Sequence, residues 1–403
     1  MDDAAKALLP KALRVLAALL LMKISFDLYS QLNLVANLPG ALTTLILLAA
    51  ALALMVEALS DLDLSRLVKP MVLAAIVLFA ASLYVSSPSS PRYGPDAMVF
   101  TRYAVDLLLS GKNPYSHSMQ PALTLYSMDY TWVTQTLEGG LVSTYSYPAL
   151  SFLVYVPAVA VGVTDLSLVM ALFFVLAVAL LIYETPKEYR VLPVLVLFLD
   201  PSLPVLSCAG SHDIIWVFLL LVSMKFFNPS SRRELKVSAA TLGLSMAVKQ
   251  TPWLILPFLA LWLYREAGAR KALSYVALAL TFFLIPNAAF ILWSPLDWVK
   301  GVLTPLAQPL IPLGLGLVVL VYEGYVFLPR LFFAIATLAA AAALLTLYWL
   351  NFDRLKLLAW VAPPLVLFFA WRSLYSYFVS VSYTHLRAHE TEADLVCRLL
   401  LEK

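Results

Sequence analysis

The chain has 403 residues, of which 62% are apolar and only 13% charged, and its mean hydropathy is +0.88. A soluble domain is roughly 45–50% apolar and about 25% charged, so water-covered Rossmann, barrel and sandwich enzymes are excluded and an all-α, polytopic membrane protein is expected. A dispersed net charge of +3 excludes a nucleic-acid binder, and two cysteines, Cys208 and Cys397, make neither a disulfide scaffold nor a zinc spacing.

A spanning helix needs about 20 apolar residues. The apolar runs predict about 11–13 spans, near 12–24, 37–58, 70–86, 167–183, 190–206, 213–227, 237–248, 252–264, 272–291, 309–321, 331–350 and 357–371. Several are short and interrupted by proline, which is tolerated at membrane depth where protein or a wet cavity satisfies the freed backbone. The first run carries Lys11, Arg14 and Lys23 and lacks the small-residue cleavage site of a signal peptide. Asp61 and Asp63 form a DxD, which alone in a short loop reads as a solvated turn.

Basic residues set the orientation. Arg66 and Lys69, Lys187 and Arg190, Arg232, Arg233 and Lys236, Arg265, Arg270 and Lys271, and Arg354 and Lys356 mark five cytoplasmic loops. They share one side if residues 87–166 lie outside and 148–163, with Pro148 and Pro157, does not cross. If 148–163 crosses, the topology downstream inverts. No Walker-type or GxGxxG loop is present.

The outer stretch holds the most informative run, Arg92 to Ser116. Asp96 follows Pro95 and opens a helical pattern that Gly111 closes. Arg102, Asp106 and Ser110 make one polar stripe, and the remaining faces are apolar, as suits an interfacial helix. The last 22 residues, 382–403, change character. They carry seven charges together with His385, His389 and Cys397, and they resemble a translated sequencing-adapter tail. The alternative is an amphipathic terminal helix. Residues 1–381 are then the native membrane domain and 382–403 a non-native tail.

Asp96 opening an amphipathic helix, the ending Tyr103-Ala104 through Gly111-Lys112-Asn113-Pro114-Tyr115, and Ser146-Tyr147-Pro148 together resemble the GT-C superfamily. More narrowly, they are similar to the family-87-like and mannosyltransferase-like enzymes that use polyprenyl-phosphate sugars. SHDIIWVFLLL (Ser211–Leu221), AVKQTPWLILPFL (Ala247–Leu259) and RSLYSYF (Arg372–Phe378) follow in the family's order. Two features depart from the pattern: the loop follows the third span rather than the first, and Asp96 has no adjacent acid.

The resemblance implies a cell-membrane, multi-pass hexosyltransferase whose site faces the extracytoplasmic side. It would move a mannose-like hexose, with inversion, from a polyprenyl-phosphate donor to a lipid or glycan hydroxyl. Asp96 would be the base, although an Asp there also serves as a helix cap. Lys249, at a helix break closed by Pro252, would meet the donor phosphate, or else snorkel. Arg372 would do the same, or anchor at the interface. Arg92 and Lys112 are weaker phosphate contacts. Tyr115, Tyr147, His212, Asp213 and Gln250 would contact substrate. Asp213 would be a second acid or a metal ligand, although its position first suits a helix cap, and the loop aromatics would form a sugar platform, although most first suit interfacial anchors. His117 reads as a loop histidine. No cofactor and no obligatory metal is expected, a divalent cation being the exception to test. The alternative is a multispan transporter or lipid flippase without transferase chemistry. A third reading is a non-catalytic membrane subunit.

Overall fold

The computed structural model describes residues 3–31, 37–60, 64–85, 96–130, 133–185, 211–304 and 308–378, with isolated positions 62, 197, 204 and 207. The architecture is all-α, with 74% helix and 3% strand. The helices of eight residues or more are α1 (Asp3–Gln31), α2 (Leu38–Leu59), α3 (Ser65–Val85), α4 (Asp96–Leu109), α5 (Ser167–Glu184), α6 (Asp213–Lys225), α7 (Arg232–Val248), α8 (Leu256–Ala267), α9 (Ala269–Trp293), α10 (Pro295–Val302) and α11 (Arg330–Leu350). Asp61, Asp63, Arg92, the 190–206 run apart from positions 197 and 204, and the 382–403 tail lie outside the described residues.

Among the described residues, four helices are long and apolar enough to cross a membrane: α2, α5, α9 and α11. Of the 11–13 expected spans, several of them short and broken, the described residues show four as continuous helices of spanning length. α6, with 13 residues, is about 20 Å long at 1.5 Å per residue, short of a core roughly 30 Å thick. The 309–321 run is not a helix. It holds the strand β1 (Leu313–Gly314) and a single turn at Val319–Tyr322, because Gly314 takes φ +134, a left-handed value that glycine alone adopts readily. The 357–371 run is 3-10 turns, Lys356–Trp360 and Pro363–Phe369, interrupted by the Pro363–Pro364 pair. Residues 148–163 form two short helices, Leu150–Leu153 and Val156–Ala160. Together they are too short to cross as a helix.

The chain divides into two compact units. The first contains α1, α2, α3 and α5. Asn37 caps α2 by accepting the Gly40 N–H at 3.0 Å. Small polar residues stitch the bundle: the Ser25 hydroxyl donates to Thr44 O at 2.7 Å, and Thr43 reaches Ala75 O at 3.4 Å. Arg14 pairs with the buried Glu57 at 3.3 Å, and Phe79 packs on Phe174.

The second unit comprises Tyr93–Leu166 and Gly210–Ala388. In α4 the apolar faces are buried. The polar stripe is engaged by protein: Arg102 pairs with Asp106 at 3.2 Å and donates to Thr164 O at 3.0 Å, and the Tyr126 hydroxyl donates to Asp106. Gly111 ends α4 with φ +73, and the Lys112 N–H returns to Leu107 O at 2.9 Å, the glycine-capped helix end.

α6 and α7 form a hairpin through the short loop 226–231. Ser231 caps α7 by accepting the Glu234 N–H. Near one end of the hairpin Ser223 donates to Ser238 O at 2.9 Å. Toward the other, Ser245 donates to Trp216 O at 2.8 Å.

β1 pairs in parallel with β2 (Arg372–Ser373). Glycine makes this approach possible, since a Cβ on Gly316 would lie 2.0 Å from Phe368 O. Gly316→Ala should therefore force the two segments apart. The expected loss is about 1–3 kcal/mol, the usual cost of overpacking, read as a lower melting temperature in detergent; an unchanged midpoint would refute this account of the glycine.

Candidate functional site

Antiparallel packing sets the start of α6 beside the end of α7. Asp213 and Lys249 meet there as a buried ion pair. The Asp213 carboxylate also accepts the Trp216 indole N–H at 2.7 Å and the Ser211 hydroxyl. It is fully engaged by the protein, and the N-cap position belongs to His212, whose side chain makes no capping bond. Lys249 is buried rather than snorkelling. It terminates α7 in an extended conformation, and the 3-10 turn Thr251–Leu254 follows. Its ammonium lies 5.1 Å from the centre of the Tyr377 ring.

The Ser146-Tyr147-Pro148 element is clamped by its backbone. The Gln250 amide donates to Ser146 O at 2.8 Å and to Val302 O at 2.7 Å. The Tyr115 hydroxyl donates to Tyr147 O at 2.7 Å. Asn287, next to Pro286 in α9, accepts the Ala149 N–H at 2.9 Å. Tyr115 itself is buried among Tyr145, Phe152 and Phe290. Gln250 and Tyr115 thus hold the element in place, and Tyr147, half-buried, is the residue they present.

The Tyr147 ring stands edge-on to His212, with centroids 4.3 Å apart. His212 is fully buried, and neither ring nitrogen has a hydrogen-bond partner among the described residues. Leaving a buried donor and acceptor unmet costs on the order of 1–3 kcal/mol each. Burial pushes the imidazole pKa down to about 3, with Asp213 opposing the shift and Lys249 adding to it. The folded state therefore holds a neutral ring, whereas the unfolded chain takes up a proton near the ordinary value of 6.5. Below that pH the unfolded state binds more protons, so stability falls with falling pH. The melting temperature should drop as pH falls below about 6.5, and His212→Gln should flatten that slope; equal slopes in both proteins would refute the neutral assignment.

Arg372 is placed by the β1–β2 pair. It is 9% exposed, its Nη1 donates to Ile311 O at 3.4 Å, and its charge acts on the Tyr377 phenol. Among the described residues no carboxylate forms an ion pair with it. Burial raises the Tyr377 pKa, Arg372 opposes this, and Asp213 and Asp96 add to the rise.

Asp96 is the first residue of α4. Its Oδ2 accepts the Thr134 N–H at 2.8 Å, a bond to a distant strand-like segment rather than a cap on its own helix. A run of bonds then leads to Arg372. The neighbour of Thr134, Gln135, accepts the Ile311 N–H at 3.1 Å, and Ile311 O is the acceptor for Arg372. The Tyr147 phenol, raised mainly by burial, also feels Asp96, Tyr377 and Asp213. Asp96, Tyr147, His212, Asp213, Lys249, Arg372 and Tyr377 accordingly share one locality within the second unit.

Lys112 is exposed at the end of α4, and His117 Nδ1 contacts Asn113 O at 2.8 Å. Arg92 lies outside the described residues. Tyr377, Trp216, Ser211 and Thr134 were not singled out by sequence. Tyr377 lies within the RSLYSYF element and Ser211 and Trp216 within the SHDIIWVFLLL element, whereas Thr134 belongs to no motif. Among the described residues no group of three or more His, Cys, Asp or Glu could hold a metal ion.

Chemically, the locality joins a carboxylate with one oxygen uncommitted and a buried guanidinium without a counter-charge, both among the described residues, with a second cation neutralised by Asp213 and aromatic walls. No protein-family model, curated protein or solved structure matches this chain.

Proposed function

We propose that the chain is a polytopic cell-membrane glycosyltransferase of the GT-C type. It takes a mannose-like hexose from a polyprenyl-phosphate donor to a lipid or glycan hydroxyl at the extracytoplasmic face, with inversion. The observation that carries this reading is the Asp96 carboxylate, with one oxygen uncommitted among the described residues, sharing its locality with the Arg372 guanidinium, which no described carboxylate pairs. The acceptor hydroxyl attacks the anomeric carbon and its proton passes to the open oxygen of Asp96. The bond from that carbon to the phosphate oxygen breaks, and its electron pair leaves on the lipid phosphate. Arg372 meets the growing charge there. Lys249 contributes less charge, because Asp213 already neutralises it.

Four helices of spanning length support the membrane part of this reading. The order of the sequence elements supports the family. Purified protein in lipid nanodiscs, given a panel of labelled polyprenyl-phosphate hexoses and hydroxyl acceptors, should form a glycoside of inverted anomeric configuration. No product from any donor would refute the reading.

One observation favours the rival transporter or flippase: the buried Asp213–Lys249 pair sits at a helix break, a feature that broken-helix transporters share. Sugar or lipid counterflow in proteoliposomes, without transfer, would establish that alternative instead.

A further inference from the structure

Of the five side chains that the family resemblance assigns to substrate, three have their polar groups committed to the protein. The Tyr115 hydroxyl bonds Tyr147 O, the Gln250 amide nitrogen bonds Ser146 O and Val302 O, and Asp213 holds Lys249, Trp216 and Ser211. The other two are Tyr147, which is half-buried, and His212. It is completely buried and both ring nitrogens lack partners among the described residues. The buried Tyr155 hydroxyl, which also feels the charge of Asp213, likewise has no hydrogen-bond partner among the described residues. Buried polar atoms are ordinarily satisfied, so the unmatched imidazole next to Asp213 marks a place built for a polar guest.

One wall of this place is an aromatic side chain. The Tyr147 ring lies against His212 and is half-buried, and its hydroxyl makes no hydrogen bond among the described residues. The adjacent Tyr145 ring is tied at its hydroxyl to Ser151 at 2.6 Å and Thr101 at 3.1 Å. Tyr147 is thus the one ring of the pair that can turn without breaking a side-chain bond. A neutral imidazole offers one donor and one acceptor. A sugar hydroxyl can satisfy either nitrogen, and the turned Tyr147 ring presents an apolar face to the C–H side of the pyranose.

We propose that His212 is the specificity residue of the site: it hydrogen-bonds a hydroxyl of the transferred hexose after Tyr147 swings aside. This rests on the transferase reading and names the residue that distinguishes one hexose from its deoxy counterpart. A site that hydrogen-bonds a substrate hydroxyl rejects the analogue lacking it, because its own buried groups are then left unmet.

The test uses the full-length protein in nanodiscs with three probes: a short-chain polyprenyl-phosphate mannose, its series of monodeoxy analogues, and methyl mannoside. His212→Phe keeps the aromatic edge against Tyr147 and removes both unmatched nitrogens, so it should melt at or above the wild-type temperature. Wild type should bind one deoxy analogue roughly 10- to 100-fold more weakly than the parent, one lost hydrogen bond in a buried site. His212→Phe should bind parent and analogue alike, and His212→Gln should restore part of the preference. The same preference in His212→Phe as in wild type would overturn the proposal and leave the transferase reading intact. Binding of methyl mannoside that needs His212, with no binding of the lipid-phosphate sugar, would support the hydroxyl site and overturn the transferase reading. Binding of no probe by wild type would overturn both.

Discussion

Asp96→Asn is expected to lower the rate of transfer by roughly 10²–10⁴-fold, the usual contribution of a positioned general base, with little change in melting temperature. The two halves of this expectation come from the two oxygens of the carboxylate. Oδ2 accepts the Thr134 N–H, and an asparagine side-chain carbonyl can replace it with the same shape. The link from α4 to the 133–142 segment therefore survives. The other oxygen is the one assigned to the acceptor's proton, and an amide at that position cannot take it. The measurement is kcat at saturating donor and acceptor, alongside thermal unfolding. Wild-type turnover in Asp96→Asn would remove Asp96 from the chemistry and leave it as an anchor for Thr134. A large fall in melting temperature would instead show that the anchor needs the full negative charge.

Asp213→Asn and Lys249→Met, made separately, are each expected to cost about 3–5 kcal/mol, because each leaves an uncompensated charge in the interior. The double variant should recover most of that loss, since replacing a buried pair together is often neutral. The two single changes are not equivalent. Without Lys249, the Asp213 carboxylate keeps the Trp216 indole and the Ser211 hydroxyl as donors. Without Asp213, the Lys249 ammonium keeps only the face of Tyr377 among its described contacts. Asp213→Asn should accordingly be the more damaging. Unfolding midpoints of the four proteins in one detergent give the coupling directly. Additive losses would mean that the pair is not a unit. A stable double variant that has lost transfer would assign the charge of Lys249 to the reaction rather than to folding.

Much of this was legible from residue order, and some was not. The start and stop of α4 follow from Asp96 and Gly111, because one opens a helix and the other supplies the left-handed turn that closes it. The break after Lys249 follows from Pro252. The partner of Lys249 was not visible, although a hairpin of two short helices brings the start of one beside the end of the other; the 36-position separation of Asp213 and Lys249 hides that adjacency. Apolar content misled at 309–321 and 357–371. Composition records that a segment is buried, and burial among protein looks the same as burial in lipid when the backbone is paired sideways, as in β1 and β2. Gly314, Gly316 and the Pro363–Pro364 pair were the available signals against helix there. Thr134 acts through its backbone N–H, which any residue except proline supplies, so no sequence signal could have found it.

The parallel pairing of β1 with β2 also bears on the order in which the molecule is made. Asp96, His212, Asp213 and Lys249 emerge from the ribosome well before Arg372 and Tyr377, and a parallel pair between residues 313–314 and 372–373 must wait for both segments. Such long-range pairing is slow to form compared with local helical contacts. A nascent chain can therefore complete its helical hairpins and bury its ion pair while the guanidinium is still missing. On the proposed chemistry, the growing protein is inert toward charged lipid until its last described segment docks, and competence for reaction becomes a report that synthesis and folding of this unit have finished.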